Sequence, residues 1–174
     1  MSTARKFKEP QNKNISGANE DISGSDSIDQ IASRQSRELV IGLCGAVGSG
    51  IKSIAEIAED ELEDLGYVVY KIRVSDLMKN LFSNWSGDIS TPFNRYDSLQ
   101  KFGDDLRKVH YPHILAEAVI HEIKIEKNLN NLTKKNIKVA FIIDQLKHQD
   151  EIELLRMVYQ NNFYLLGVIR SETE

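Results

Sequence analysis

The stretch LVIGLCGAVGSGIKS, residues 39–53, contains the features that decide the fold. Its first part, Leu39 to Cys44, is a short apolar run that ends in glycine, as a buried strand of a parallel sheet does. Residues 45–50 then hold three glycines, and from Ile51 onward apolar residues recur at helical spacing. We therefore predict a strand, a tight turn and a helix in direct succession.

A glycine turn between a strand and a helix suits a phosphate group, because the backbone can approach an anion closely and the helix N–H groups point at it. Gly45 and Gly50 match the glycine spacing of the P-loop pattern GxxxxGK[ST]. The lysine and hydroxyl positions of that pattern hold Ile51 and Lys52, and Ser53 follows. Since phosphoryl transfer depends on the lysine charge, we expect binding rather than catalysis. A tight turn without a ligand is the alternative.

The rest of the chain alternates strands with helices, which predicts an α/β fold with a parallel sheet and helices on both faces. We expect further strands at 67–74, 137–144 and 163–169. Helical stripes are predicted from Ile51 to Leu65, over 76–83, and at Leu99–Val109, Leu115–Ile123 and Ile152–Tyr159. Residues 84–94, around Trp85, read as an exposed loop, either a lid over a nucleotide or an ordinary surface loop.

Composition is that of an ordinary globular protein, with 41% hydrophobic and 28% charged residues. The net charge of −4 gives no overall positive field for nucleic acid or membranes, so a phosphate site must be local. The single Cys44 excludes an internal disulfide. We expect a cytoplasmic protein without a membrane partner, with a mobile tail over 1–37 and a nucleotide-binding domain over 38–174.

Charged residues follow the predicted strands at the edge where such sheets bind ligands. Asp144 follows the apolar run Val139 to Ile143 and suits a magnesium ion held through water, although a loop or helix-capping carboxylate has the same pattern. Asp76 follows the second strand, and Arg107 lies on a helix that would cover this edge and suits an acceptor phosphate. Both also fit ordinary surface charges. The predicted nucleotide-binding residues are Gly45, Val47, Gly48, Ser49, Gly50, Ile51, Lys52, Ser53, Asp76, Arg107 and Asp144. No catalytic residue and no metal ligand is predicted, and the four histidines offer no zinc site.

Three segments together resemble the N-terminal part of bacterial anti-phage dCTP deaminases and, more distantly, deoxynucleoside monophosphate kinases and dephospho-CoA kinases. They are IASRQSRELVIGLCGAVGSG, YDSLQKFGDDLRKVHYPHILAEA and FIIDQLKHQDEIELLRMVYQNNFYLLGV. The resemblance implies a P-loop kinase-like region followed by a zinc deaminase that drains dCTP during phage replication. It implies ATP or a deoxynucleoside triphosphate with magnesium as ligand, a homo-oligomer, and an inhibitory RNA as partner.

The zinc of such deaminases is held by HxE and PCxxC motifs, and this sequence contains neither. We therefore expect zinc and deamination to belong to a part outside these residues. The sequence stops after the fourth predicted strand, before the lid and last strand of a complete kinase, which predicts an incomplete domain. The leading hypothesis is a nucleotide-binding or regulatory domain of an antiviral dCTP deaminase. The alternatives are a small deoxynucleoside monophosphate kinase, with Lys52 supplying the charge, and a module for oligomer or RNA contacts.

Overall fold

The computed structural model of this chain describes residues 37–82, 85–132 and 137–170. The predicted tail over 1–37, except its last residue, lies outside the described residues. The division of the chain into a tail and a domain over 38–174 therefore stays a prediction.

Strands and helices alternate along the described chain in the predicted order. The elements are β1 (Glu38–Gly45), α1 (Ile51–Asp64), β2 (Tyr67–Arg73), α2 (Val74–Leu81), α3 (Pro92–Val109), α4 (Ile114–Leu129), β3 (Lys138–Asp144), α5 (Gln149–Tyr159) and β4 (Phe163–Val168). A short 3-10 turn over Gln160–Asn162 connects α5 to β4.

The four strands form one parallel sheet in the order β2-β3-β1-β4. Because the strands are parallel, their carboxyl ends lie at the same edge, and β1, β2 and β3 end there at Gly45, Arg73 and Asp144. The chain leaves β1 in one direction to reach β2 and later crosses to β4 on the other side. Such a reversal of strand order creates a crevice for ligands at the carboxyl edge.

The alternation of side chains along β3 separates two apolar layers, one on each face of the sheet. Val139, Phe141 and Ile143 pack into a cluster with side chains of α2, α3, α4 and α5. Ala140 and Ile142 pack on the opposite face with α1. All five are buried, which explains why this strand is continuously apolar in sequence. The predicted α/β fold, a parallel sheet with helices on both faces, is confirmed.

The predicted exposed loop over 84–94 differs from what is observed, because α3 already begins at Pro92. The Thr91 side chain accepts a hydrogen bond from the Asn94 N–H at 3.1 Å and so caps the helix. Trp85 is half-buried, with its ring centroid 5.4 Å from that of Phe102. This connection is therefore packed on the core at its start rather than exposed throughout.

Three apolar residues assigned to buried helical stripes are instead exposed. Leu65 lies just beyond the end of α1 and Val109 is the last residue of α3, so both extend past the apolar layer. Ile54 lies on the flank of α1 and is also exposed. The predicted helix over 76–83 begins earlier, at Val74, directly after β2.

Candidate functional site

The turn between β1 and α1 has the backbone geometry of an anion cradle. Gly48 and Gly50 have φ angles of 83° and 94°, in the left-handed region that glycine tolerates best. The Ser49 N–H donates to the Ala46 carbonyl at 3.1 Å, which closes the turn. No described side chain caps the first turn of α1, and that turn contains no acidic residue. Its N–H groups are thus available to an anionic ligand.

Gly45 is required for packing rather than for ligand approach. A Cβ there would lie 2.6 Å from the Val168 carbonyl oxygen and 2.7 Å from the Ser49 hydroxyl. The first glycine of the P-loop-like pattern therefore lets the turn pass close to β4. A Cβ added at Gly48 or Gly50 would meet no atom within 4 Å, but neither glycine lines a cavity.

A cavity of about 770 Å³ opens at the carboxyl edge of the sheet, next to this turn. Its walls come from the turn after β1, the start of α2, one side of α3 and the segment after β3. The charged groups on these walls are Lys52, Arg73, Arg95, Arg107, Lys147, Asp104 and Asp144, with His148 in addition. Basic side chains outnumber acidic ones on these walls although the whole chain is acidic, and Glu56, Asp76 and Glu151 pair with three of them from outside the cavity lining.

Asp144 ends β3 at the cavity with its side chain only 17% exposed. Its Oδ2 accepts a hydrogen bond from Arg73 Nε at 3.3 Å. Its Oδ1 is buried without a hydrogen-bond partner among the described residues. Since buried carboxylate oxygens are normally satisfied, this atom fits a position completed by a bound ligand, and carboxylate oxygen is a ligand that Mg²⁺ prefers.

The backbone directly after Asp144 is strained. Gln145 has a φ of 70°, a conformation that costs a non-glycine residue on the order of 1–3 kcal/mol. The next residue, Leu146, is buried, and its N–H donates to the Leu43 carbonyl at 2.9 Å. This bond to β1 holds the segment across the carboxyl edge, where Gln145 and Lys147 line the cavity.

Arg107 lines the cavity, but its guanidinium is already engaged by two carboxylates. Nε and Nη2 lie 2.9 and 2.7 Å from Glu151 Oε1, and Nη1 lies 3.2 Å from Asp104 Oδ1. Its side chain is only 12% exposed. Its predicted contact with an acceptor phosphate stays a prediction.

Arg95 and Lys147 are cationic wall residues that sequence reasoning missed. Neither has a carboxylate partner among the described residues, and the Arg95 guanidinium lies over the Tyr96 ring at 5.9 Å. Arg73, at the end of β2, was also missed. The signals in sequence were weak, because lysine and arginine side chains are usually exposed surface charges in any element.

The remaining predicted residues are distributed unevenly. Val47 and Lys52 line the cavity, but the Lys52 ammonium lies 3.7 Å from Glu56 on α1 and is largely exposed. Ile51, the first residue of α1, is buried against the sheet. Ser53 is exposed and does not line the cavity. Asp76 lies outside the cavity lining as well, 2.8 Å from Lys79, and its neighbour Ser75 takes the wall position.

A second cavity of about 440 Å³ lies on the β4 side of the same turn. Ser49 lines it, with a hydroxyl oxygen that is buried and has no hydrogen-bond partner among the described residues. Cys44 borders both cavities, and its Sγ lies 3.7 Å from the Leu166 carbonyl, to which it donates. The turn is thus flanked by open space on both sides.

Within 37–82, 85–132 and 137–170, no three His, Cys, Asp or Glu side chains come together as metal ligands would. In the same ranges, no helix is both long and apolar enough to cross a bilayer.

No protein-family model matches the sequence, and no curated protein matches it either. Among solved structures, the chain is similar to APE1195, at 18% identity over 78% of this chain and 64% of that one, with a TM-score of 0.38. It is also similar to a point mutant of the APS kinase CysC from Mycobacterium tuberculosis, at 14% identity over 79% of this chain and 82% of that one, with a TM-score of 0.39. The chain thus spans 64% of the length of APE1195. At such low TM-scores and identities, neither neighbour assigns an activity to this chain.

Proposed function

We propose that this chain binds a nucleoside phosphate at the carboxyl edge of its sheet and acts through that binding rather than by phosphate transfer. The observation that carries the proposal is the convergence of three features on one cavity. They are the turn after β1, of which Gly45, Ala46 and Val47 line the cavity, the cationic side chains of Arg95 and Lys147, and the Asp144 oxygen that has no partner in the described residues. Each comes from a different part of the chain.

The size of the cavity favours a nucleotide over a free phosphate ion. Small-molecule sites measure roughly 300–1,000 Å³, and the cavity of about 770 Å³ lies within that range. A phosphate ion would occupy only the part next to the turn. Tyr96 and Leu99 on α3 add apolar wall, which suits the base of a nucleotide.

The charges assign a part to each group. In this proposal the turn N–H groups and the first turn of α1 hold a phosphate, while Arg95 and Lys147 balance its remaining charge. Asp144 is the residue that would hold a magnesium ion, which neutralises phosphate charge when it is bound. All of these contacts serve ligand binding, and none of them requires a catalytic group.

The position of Lys52 argues against phosphate transfer. The residue that occupies the lysine position of the P-loop pattern is Ile51, the first residue of α1, and its side chain is buried between α1 and the sheet. Lys52 itself extends into solvent beside Glu56. A phosphotransferase needs a fixed cation on the transferred phosphate, and this ammonium is not fixed by the fold. The alternative, a kinase in which Lys52 turns inward on binding, predicts measurable transfer.

The finer identity of the ligand is supported by the resemblance of the sequence to antiviral dCTP deaminases. On this basis we propose dCTP as the preferred nucleotide and a regulatory role beside a zinc deaminase in the cytoplasm. A homo-oligomer and an inhibitory RNA belong to the same proposal. Gel filtration and titration with RNA test these two partners separately from nucleotide binding.

The test is calorimetric titration of the full chain with dCTP, ATP and inorganic tripolyphosphate, each with magnesium. Gly50→Val places a branched side chain where the ligand phosphate is expected and should lower the affinity roughly tenfold or more. Gly66→Val is the matched control, because Gly66 also has a positive φ, of 81°, but lies at the far end of α1. Both changes strain the backbone to a similar extent. Only Gly50→Val adds a side chain at the expected phosphate position, so only this variant should bind more weakly. Equal affinity in the two variants would refute the site.

A further inference from the structure

Glu151, on the first turn of α5, is a fully buried charged residue behind the cavity wall. Its relative exposure is 0%, and no other charged residue in the described ranges is classed as buried. It does not line the cavity itself. A carboxylate in this position must be satisfied by its neighbours, because burying an unpaired charge is costly.

The two oxygens of Glu151 serve two different parts of the chain. Oε1 accepts from Arg107 Nε and Nη2, at 2.9 and 2.7 Å. Oε2 accepts from the backbone N–H groups of Lys147 and His148, at 3.3 and 3.2 Å. One side chain therefore connects α3 to the segment that follows Asp144, and Glu151 itself lies 44 residues from Arg107 in sequence.

Both connected parts are walls of the cavity. Arg107 lines it from α3, and Lys147 and His148 line it from the segment after β3. That segment includes the strained Gln145, so its path needs support from outside the strand. Glu151 gives this support through the N-terminal cap of α5, where His148 is the cap residue.

Stability alone does not account for this arrangement. Replacing a buried ion pair by apolar side chains of similar volume is often neutral or stabilising, so such a pair adds little to the folding free energy. What the pair does supply is a fixed direction for the Arg107 guanidinium and a fixed path for residues 147–148. We infer that Glu151 is a positioning residue of the phosphate site, an inference that rests on the proposed function.

A simple charge effect and a positioning effect predict opposite changes in anion affinity when Glu151 is replaced. If Glu151 only neutralised Arg107, its removal would raise the positive charge at the cavity and tighten anion binding. If Glu151 positions both walls, Glu151→Gln should weaken binding. The glutamine oxygen can accept from only one wall, and its NH₂ group faces donors on the other.

The experiment is calorimetric titration of the full chain with magnesium dCTP and with inorganic tripolyphosphate. Glu151→Gln should lower the affinity for both about tenfold. Arg107→Gln should lower it as well, and the double variant should lose less than the two single losses added together, because both act through one contact. Val119→Ala is the control. This change removes volume from the apolar cluster that contains Phe141, and Val119 does not line the cavity. It should reduce the unfolding free energy without changing the affinity.

Unchanged or tighter binding by a folded Glu151→Gln would overturn the inference, as would strict additivity with Arg107→Gln. If Glu151→Gln does not fold, Arg107→Lys decides, because it keeps the charge and loses the planar fork that reaches Glu151 and Asp104. Full affinity in that variant contradicts positioning. Absence of binding by the unsubstituted chain would refute the proposed function and the inference together. Equal binding by the unsubstituted chain and by Glu151→Gln would refute the inference alone.

Discussion

Arg73 and Asp144 are the last register pair of β2 and β3, and their side chains are joined by a hydrogen bond of 3.3 Å from Nε to Oδ2. The sheet register thus brings a cation beside the carboxylate that is expected to hold magnesium. The Arg73 guanidinium also lies 3.9 Å from Asp76. The Arg73 guanidinium repels a magnesium ion at Asp144, and this repulsion lowers the affinity for magnesium until an anionic ligand is bound nearby.

Arg73→Gln should therefore raise the affinity of the ligand-free chain for Mg²⁺ severalfold, because Asp144 loses a competing positive charge. The unfolding free energy should change by less than about 1 kcal/mol, since the arginine side chain is half exposed. Magnesium titrations followed by calorimetry measure the first effect. Arg156→Gln, on the exposed side of α5, is the control and should leave Mg²⁺ binding unchanged. Equal affinity in both variants would contradict the competition.

The parts of this site that directly follow an apolar strand could be predicted. The turn over 45–50 follows an apolar strand directly, and Asp144 follows another, so the parallel sheet alone brings them to one edge. The cationic side chains of Arg95 and Lys147 come from α3 and from the segment after β3. Their convergence depends on how α3 and the segment after β3 are oriented, which apolar periodicity does not specify.

Local helix geometry explains why Asp76 does not reach the cavity and why Glu151 could not be predicted. Asp76 follows β2 as expected, but α2 begins at once with Val74, so its carboxylate pairs with Lys79 three residues later instead of facing the cavity. Glu151 forms the capping box of α5 with His148 in the position where serine or threonine is usual. Without the usual cap residue, the sequence carried no clear signal for this buried carboxylate.

Gln145→Gly should stabilise the fold by on the order of 1 kcal/mol, because glycine adopts a φ of 70° without the steric cost that glutamine pays. Urea denaturation measures the change. Gln145→Ala removes the same side chain but keeps the strain, so it should not stabilise. Equal stability of the two variants would show that the conformation is not the source of the effect. Ligand affinity should fall in Gln145→Gly, since a freer backbone holds Lys147 less firmly.

Burial, followed by the charge of Glu38, raises the pKa of Tyr159 above its ordinary value of 10.0. The unfolded chain therefore releases this proton at a lower pH than the folded chain does. Above pH 10 the folded state binds more protons than the unfolded one, so stability should fall as the pH rises. Tyr159→Phe should make the decline less steep in urea denaturation across this range. Tyr164→Phe, at an exposed ring on β4, should not.

Lys52→Ala should have a smaller effect on nucleotide affinity than Arg95→Gln. The Lys52 ammonium extends into solvent beside Glu56, whereas the Arg95 guanidinium lies at the cavity without a carboxylate partner in the described residues. The unsubstituted chain should transfer no phosphate from ATP to deoxynucleoside monophosphates, because the lysine position of the P-loop pattern holds the buried Ile51. A coupled assay of ADP formation, run beside calorimetric titrations of both variants, checks these expectations. Turnover that disappears in Lys52→Ala would contradict them, since only a lysine that reaches the transferred phosphate can be essential to its transfer.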